Sequence, residues 1–280
     1  MSFDSLSRLT APITRRALLR RCTASLLPLA LGNTSLMAPS ARATSKSGFR
    51  FAVLNDLHYV DARCGAFLKQ VTSSIAATPE IDFCLLAGDL SDHGLESELL
   101  AVREIFSTLQ VPIYTVPGNH DYHTETDRTP YDNVFPESVN YHFQHKGWQF
   151  LGLDTTDGQK WQSNQIDQST IHWLDSTIPT LDPSLPTVAF THFPLGVGLN
   201  GRPSNADTLL AQLARLHIHA VYSGHNHLFS EQEQSGTVLL TNRCCAISAG
   251  NSDDSPQKGY FLCETSSSGV LSKFIEVPTT

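Results

Sequence analysis

Five times in this chain a short apolar run breaks off at a small group of Asp, Asn, His and Gly. Phe49–Leu54 stops at Asn55-Asp56, Ile81–Ala87 at Gly88-Asp89, and Val111–Val116 at Pro117-Gly118-Asn119-His120. Thr187–Thr191 stops at His192, and His219–Ser223 at Gly224-His225. Short apolar runs closed by turn signals suit buried strands. Between them, Glu96–Leu109 carries Leu99, Val102, Ile105 or Phe106, and Leu109 at helical spacing, and Gln165–Ile178 and Ala206–Leu216 carry similar stripes. The alternation predicts an α/β sandwich with buried central sheets. Phe143–Asp154 and Gly236–Val277 read instead as antiparallel hairpins, with turns at Gly236 and Gly269. The polar groups then fall in loops past strand C-termini, where open α/β sheets gather their sites.

Residues 1–43 read as an address, not as fold. Thr14-Arg15-Arg16-Ala17-Leu18-Leu19-Arg20 resembles a twin-arginine export signal. An apolar stretch follows, and then Ala41-Arg42-Ala43, a small-x-small cleavage pattern. The expected partner in transit is the twin-arginine translocase, and the expected destination is the periplasm or the medium. Residues 44–280 read as one domain, undivided by repeats or proline-rich linkers, with no apolar run long enough for a lasting membrane span.

Six of the nineteen basic residues and one of the twenty-seven acidic residues lie in that leader, leaving thirteen against twenty-six and a net charge of −13. Such a surface repels polyanions and argues against a dedicated nucleic-acid binder. Carboxylates that hold cations would cancel part of this charge locally. Five cysteines remain, Cys64, Cys84, Cys244, Cys245 and Cys263. They permit a disulfide between Cys244 or Cys245 and Cys263, or sit as buried thiols.

The polar groups form five motifs in order: Asp56-Leu57-His58, Gly88-Asp89, Gly118-Asn119-His120-Asp121, His192, and Gly224-His225-Asn226-His227. In an extended segment residues i and i+2 point the same way, so Asp56 with His58, and His225 with His227, can each grip one ion. Glycines ahead of Asp89, Asn119 and His225 let the backbone turn and approach a ligand. Carboxylate, amide-oxygen and imidazole donors suit Mn²⁺, Fe²⁺ or Zn²⁺. Any one of these histidines alone reads as an ordinary core or surface residue; the ordered set carries the information.

In these motifs, over roughly residues 49–245, the chain resembles the calcineurin-like metallophosphoesterases. The resemblance implies a four-layer α/β/β/α sandwich with two mixed β-sheets, and a phosphoric ester hydrolase using two divalent ions (Mn, Fe or Zn). One metal would be held by Asp56, His58, Asp89 and His227, the other by Asp89, Asn119, His192 and His225. A water between them would attack phosphorus. Asn119 and His120 would touch substrate, His120 serving the leaving oxygen and Asp121 orienting the His120 ring.

Related purple acid phosphatases carry Tyr three residues after the Gly-Asp aspartate and end the third motif in Glu. Here those positions are Asp92 and Asp121, so a tyrosinate–iron site is not expected. Asp92 reads as the cap of a helix beginning near Gly94. Arg202, in the Leu195–Asn205 loop, suits a substrate phosphate oxygen or is a solvated loop arginine. Tyr59, His93, Tyr122 and His123 stand near enough to the motifs to touch substrate, whereas Asp154 reads as support for a turn. The leading expectation is an exported phosphodiesterase acting on a small phosphoester. A phosphomonoesterase is the alternative, since the same centre cleaves either bond. A non-catalytic metal-binding scaffold like the retromer subunit is disfavoured by the presence of Asp89, Asn119 and His120.

Overall fold

The computed structural model describes residues 48–279, so the leader lies outside the described residues. Strands β1 (Arg50–Leu54), β2 (Ile81–Ala87) and β3 (Ile113–Val116) lie parallel in one sheet. Strands β10 (Gly259–Ser266) and β11 (Gly269–Glu276) extend it antiparallel, giving the order β11-β10-β1-β2-β3. The second sheet runs β4-β5-β6-β7-β9-β8. Its strands are β4 (Tyr141–His145), β5 (Trp148–Leu153), β6 (Pro186–Thr191), β7 (His217–Ser223), β8 (Ser230–Gln234) and β9 (Thr237–Thr241). Strands β5, β6, β7 and β9 are mutually parallel, with antiparallel β4 and β8 at the edges.

The period-2 geometry of a strand sorts these apolar runs into layers. Phe51 and Val53 of β1 and Phe83 and Leu85 of β2 point toward the second sheet, where they meet Phe150, Val188, Phe190 and Tyr222. Their neighbours Ala52, Leu54, Cys84 and Leu86 point outward against α1 (Ala62–Ala76), α2 (Glu96–Ser107) and α3 (Thr129–Val134). On the far side, α4 (Gln168–Thr177) and α5 (Ala206–Leu213) cover the second sheet through Ile171, Leu174, Leu209 and Leu213. The result is the four-layer sandwich. Phe51 and Phe83 stack at 5.2 Å in its centre, and each such fully buried phenylalanine contributes roughly 1.5–3 kcal/mol of transfer free energy.

Three of the helices and the hairpins fall where periodicity and turn residues place them. Helices α1 and α3 were not anticipated, although in α1 Phe67, Leu68, Val71 and Ile75 form a buried stripe and the Asp61 carboxylate caps the amides of Arg63 and Cys64. The five cysteines among the described residues are buried free thiols. No helix among the described residues is long and apolar enough to cross a membrane.

Candidate metal centre

The C-terminal ends of β1, β2 and β3 in one sheet, and of β6 and β7 in the other, bring the five motifs to one place. His227 Nε2 lies 3.2 Å from Asp56 Oδ1 and 3.1 Å from His58 Nε2. His58 Nε2 lies 3.6 Å from Asp89 Oδ2, which stands 3.3 Å from His192 Nε2. Asn119 Oδ1 is 3.2 Å from His192 Nε2 and 3.1 Å from His225 Nδ1. Asp56, His58 and His227 each present one ligand atom within 4.8 Å of the others, and Asp89, His192 and His225 do the same.

The backbone achieves this differently from the extended spacing argued above. Asp56 and His58 have φ of 51° and 41°, and His225 and His227 have 67° and 50°. Both pairs sit where the chain turns, each donor residue at left-handed φ on either side of Leu57 or Asn226, which are not, and no strand continues through them. Non-glycine residues held in this region cost of order 1–3 kcal/mol each and cluster at functional sites. Asp89, at φ 51°, follows Gly88 at φ 81°, where an added Cβ would stand 2.7 Å from His192 Cβ. Gly118 and Gly224 matter for space alone, because a Cβ there would run into the carboxylates of Asp89 and Asp56.

Each metal-motif histidine turns one nitrogen to an acceptor outside the centre. His192 Nδ1 donates to the Ala87 carbonyl at 3.0 Å, His225 Nε2 to the Trp161 carbonyl at 2.9 Å, and His227 Nδ1 to the Gly250 carbonyl at 2.9 Å. His58 Nδ1 donates to Asp92 Oδ1 at 2.8 Å. An oxygen acceptor fixes which nitrogen carries hydrogen, so in every neutral ring the other nitrogen aims a lone pair inward. Those lone pairs face carboxylate oxygens, the Asn119 oxygen and one another. Such a set needs protons or cations between its members, and outward N–H bonds of this kind are the usual support of metal-binding histidines. Carboxylate, amide oxygen and neutral imidazole are also a suitable donor set for borderline divalent metals.

The electrostatics agree. Burial alone would raise the Asp56 carboxyl, but the His227 and His192 imidazoles outweigh it and bring it down to about 2. Asp89 is likewise held well below the carboxylate range by His192 and His58, against its burial. His225 is pushed down to about 4 by burial and by the neighbouring His192, and stays neutral.

His120 stands at the rim with 41% of its side chain exposed. Its Nδ1 donates to the Asp92 carbonyl at 2.9 Å, which leaves Nε2 as its free nitrogen. Burial works against its charged form, but Asp89 and Asp92 outweigh it and raise its pKa. Asp121 does not orient this ring. Its carboxylate accepts from the amides of Leu90, Ser91 and Gly118 and from the Ser91 hydroxyl, all at 2.9–3.0 Å, and so ties the β2 and β3 loops together. Nor does Asp92 cap α2. That helix starts at Glu96 after Leu95, and buried Glu98 reaches back to the amides of Asp92 and His93.

Two spaces meet at Asn119, His120 and Trp161. One is a recess of about 320 Å³ over the ligands, also reached by Asn200 and Asn226. The other is a cleft of about 550 Å³ walled by Asp92, His93, Leu95, His123 and Gln159. Arg202 lines neither. Its guanidinium is committed to the Leu195 carbonyl at 2.8 Å and the Asp207 carboxylate at 2.6 Å, and the loop reaches the recess through Asn200 instead. Tyr122 is buried with its hydroxyl 2.9 Å from Thr156, and Tyr59 packs on the helical layer. Asp154 accepts from Arg128 and from Thr156, as a supporting residue. Sequence reasoning missed Asp92 as a partner of His58, and Trp161 altogether. The signal for Asp92 was a carboxylate three residues after Asp89; Trp161 gave none.

Residues 49–229 match the calcineurin-like phosphoesterase family model. A 3′,5′-cyclic-nucleotide phosphodiesterase of Nostoc sp. is 32% identical over 157 residues, 53% of this chain and 57% of that protein. A probable glycerophosphodiester phosphodiesterase of Arcobacter nitrofigilis is 25% identical over 176 residues, 58% of this chain and 63% of that protein. The matches thus span less than two thirds of these relatives. Among solved structures, a dimetal phosphatase from Danio rerio shares the fold with a TM-score of 0.66 at 13% identity, covering 83% of this chain and 99% of that one. Purple acid phosphatase from yellow lupin does so with a TM-score of 0.61 at 14% identity, over 82% and 52%. With its motifs, its sandwich and its matched span, the chain belongs to the calcineurin-like phosphoesterases.

Proposed function

We propose that this protein is an exported hydrolase that uses two divalent metal ions to cleave phosphodiesters. The observation that carries the reading is the convergence of seven inward-facing donors with Asp89 shared between their two halves. One ion would take Asp56, His58, Asp89 and His227; the other would take Asp89, Asn119, His192 and His225. Bound there, such a pair supplies Lewis-acid charge and a nucleophile at neutral pH.

The chain's own residues do the rest. Asp92, Ala87, Trp161 and Gly250 hold the four imidazoles in place through their outward N–H bonds. Asp121 fixes the two loops that carry Asp89 and Asn119. His120, with Nδ1 held by the Asp92 carbonyl and Nε2 left free at the rim, is placed to give the Nε2 proton to a departing oxygen. Two relatives named as diesterases, and a cleft that extends beyond the ligand recess, support a substrate with a second organic arm.

Elemental analysis and hydrolysis of bis(4-nitrophenyl) phosphate against 4-nitrophenyl phosphate test this reading. Close to two metals per chain and faster diester cleavage are expected. No bound metal, with neither ester cleaved after Mn²⁺ or Zn²⁺ addition, would end it; monoester preference would make the protein a phosphomonoesterase. Asp89→Asn is expected to lower occupancy of both sites together. Export rests on residues 14–43, and secretion that persists after Arg15 and Arg16 are both changed to Lys would count against the twin-arginine route.

A further inference from the structure

Trp161 leaves the largest apolar side chain in water of any described residue, at 62% exposure. An exposed indole on a loose loop would need no explanation, but here the backbone is held from several sides. The Gln159 amide donates to the Glu125 carbonyl at 3.1 Å and its side-chain nitrogen to the Tyr122 carbonyl at 2.8 Å. The Trp161 carbonyl receives His225 Nε2 at 2.9 Å. The ring is therefore presented from a fixed base, bordering both the ligand recess and the adjoining cleft beside Asn119 and His120. A second exposed apolar side chain, Leu95, lines the same cleft from the loop that enters α2.

A solvent-facing indole on a held backbone, next to the proposed reaction centre, offers a flat face to a planar ring. The cleft's 550 Å³ falls within the volumes that enclose small organic ligands. Base–aromatic stacking accepts any base and loses its energy when the aromatic is truncated. We propose that Trp161 is a stacking platform that selects phosphodiesters in which one arm carries a planar heteroaromatic base, as in nucleotide diesters, over arms such as glycerol. This narrows the phosphodiesterase reading and rests on it. Truncating the side chain leaves the carbonyl that holds His225 in place, so stacking is separable from the ligand-positioning role of the same residue.

Thymidine 5′-(4-nitrophenyl) phosphate and methyl 4-nitrophenyl phosphate share a leaving group and differ in the base-bearing arm. In Trp161→Ala the ratio of their kcat/KM values is expected to fall roughly 10-fold or more, chiefly through KM of the nucleoside ester, and to recover largely in Trp161→Phe. An unchanged ratio, or an equal fall in both variants, overturns the proposal. A binding measurement stands apart from turnover. Adenosine 5′-monophosphate should quench wild-type indole fluorescence saturably, ribose 5-phosphate should not, and the quench should vanish in Trp161→Phe. Equal quenching by both ligands, or quenching that survives in Trp161→Phe, overturns the platform. If the wild type cleaved neither ester yet showed the specific quench, the platform would stand and the phosphodiesterase reading would fall.

Discussion

Asp92 holds His58 by its side chain and His120 by its main chain: its Oδ1 takes His58 Nδ1 at 2.8 Å, and its carbonyl takes His120 Nδ1 at 2.9 Å. One residue thus fixes a metal-motif imidazole and the histidine proposed to serve the leaving group. The hydrogen bond from His58 is the main cause of its carboxyl lying below the ordinary aspartate value. Asp92→Ala removes the first contact and keeps the second. Affinity at the Asp56–His58–His227 half should drop roughly 10- to 100-fold, the usual cost of losing such a supporting carboxylate. Titration with Zn²⁺ against a competing chelator measures it, and a half that binds as tightly as before would deny Asp92 this role.

His120 poses the opposite question, because its ring also lies within ligand range of His58 and Asp89. If it gives a proton to the leaving oxygen, His120→Ala keeps its metals and loses roughly 10²- to 10⁴-fold in rate. The loss should be steepest for alkoxide leaving groups and least for 4-nitrophenoxide. A variant that emerges from purification stripped of metal would identify His120 as a ligand instead.

Strand ends and the donor residues that converge there were legible in the sequence because both are local. An apolar run followed by Gly-Asp or Gly-Asn-His-Asp states strand, turn and donor within a few residues. Local spacing misjudged the conformation between donors. Asp56-Leu57-His58 looks extended, yet Asp56 and His58 take left-handed φ, and the amides of all three residues bond to carbonyls of Gly88 and Asp89 across the sheet. Asp121 and Arg202 were misassigned for a related reason. A charged side chain near a motif can turn to backbone amides or to a local carboxylate, and sequence does not rank those partners. The lone pairs of Ala87, Trp161 and Gly250 were invisible, since a main-chain carbonyl is present at every residue.

The pH dependence of metal binding follows from two histidines. Burial disfavours charge on both, but Asp89 pushes His192 up to about 9 and Asp56 pushes His227 up to about 11. In the metal-free protein both therefore hold a proton at pH 7 that a cation must displace. Metal affinity should rise with pH through about 9 on the account of His192. The stability of the metal-free fold moves the other way. A pKa raised from 6.5 to about 9 stabilises fully below pH 6.5, and that contribution is lost as pH climbs through about 9. Calorimetry in buffers of different ionisation enthalpy should register proton release when Zn²⁺ binds at pH 7. Absence of release would contradict the charge state assigned here.

Lys258 supports the centre from behind. Its ammonium is buried and donates to Cys244 Sγ and the Ala249 carbonyl, both at 2.8 Å, and to Asn251 Oδ1 at 3.3 Å. Ala249 and Asn251 flank Gly250, whose carbonyl fixes His227 Nδ1, and Asn251 precedes Ser252, whose amide donates to the His227 carbonyl at 3.0 Å. Lys258→Met preserves much of the volume but leaves those acceptors buried without their donor, at roughly 1–3 kcal/mol for an unsatisfied group. Denaturant unfolding of the metal-free variant should show that loss. The His227 half should also release metal to a chelator faster than the His192 half, because only its supporting loop has been loosened. If both halves release metal at wild-type rates while stability alone falls, Lys258 holds the fold and not the ligand.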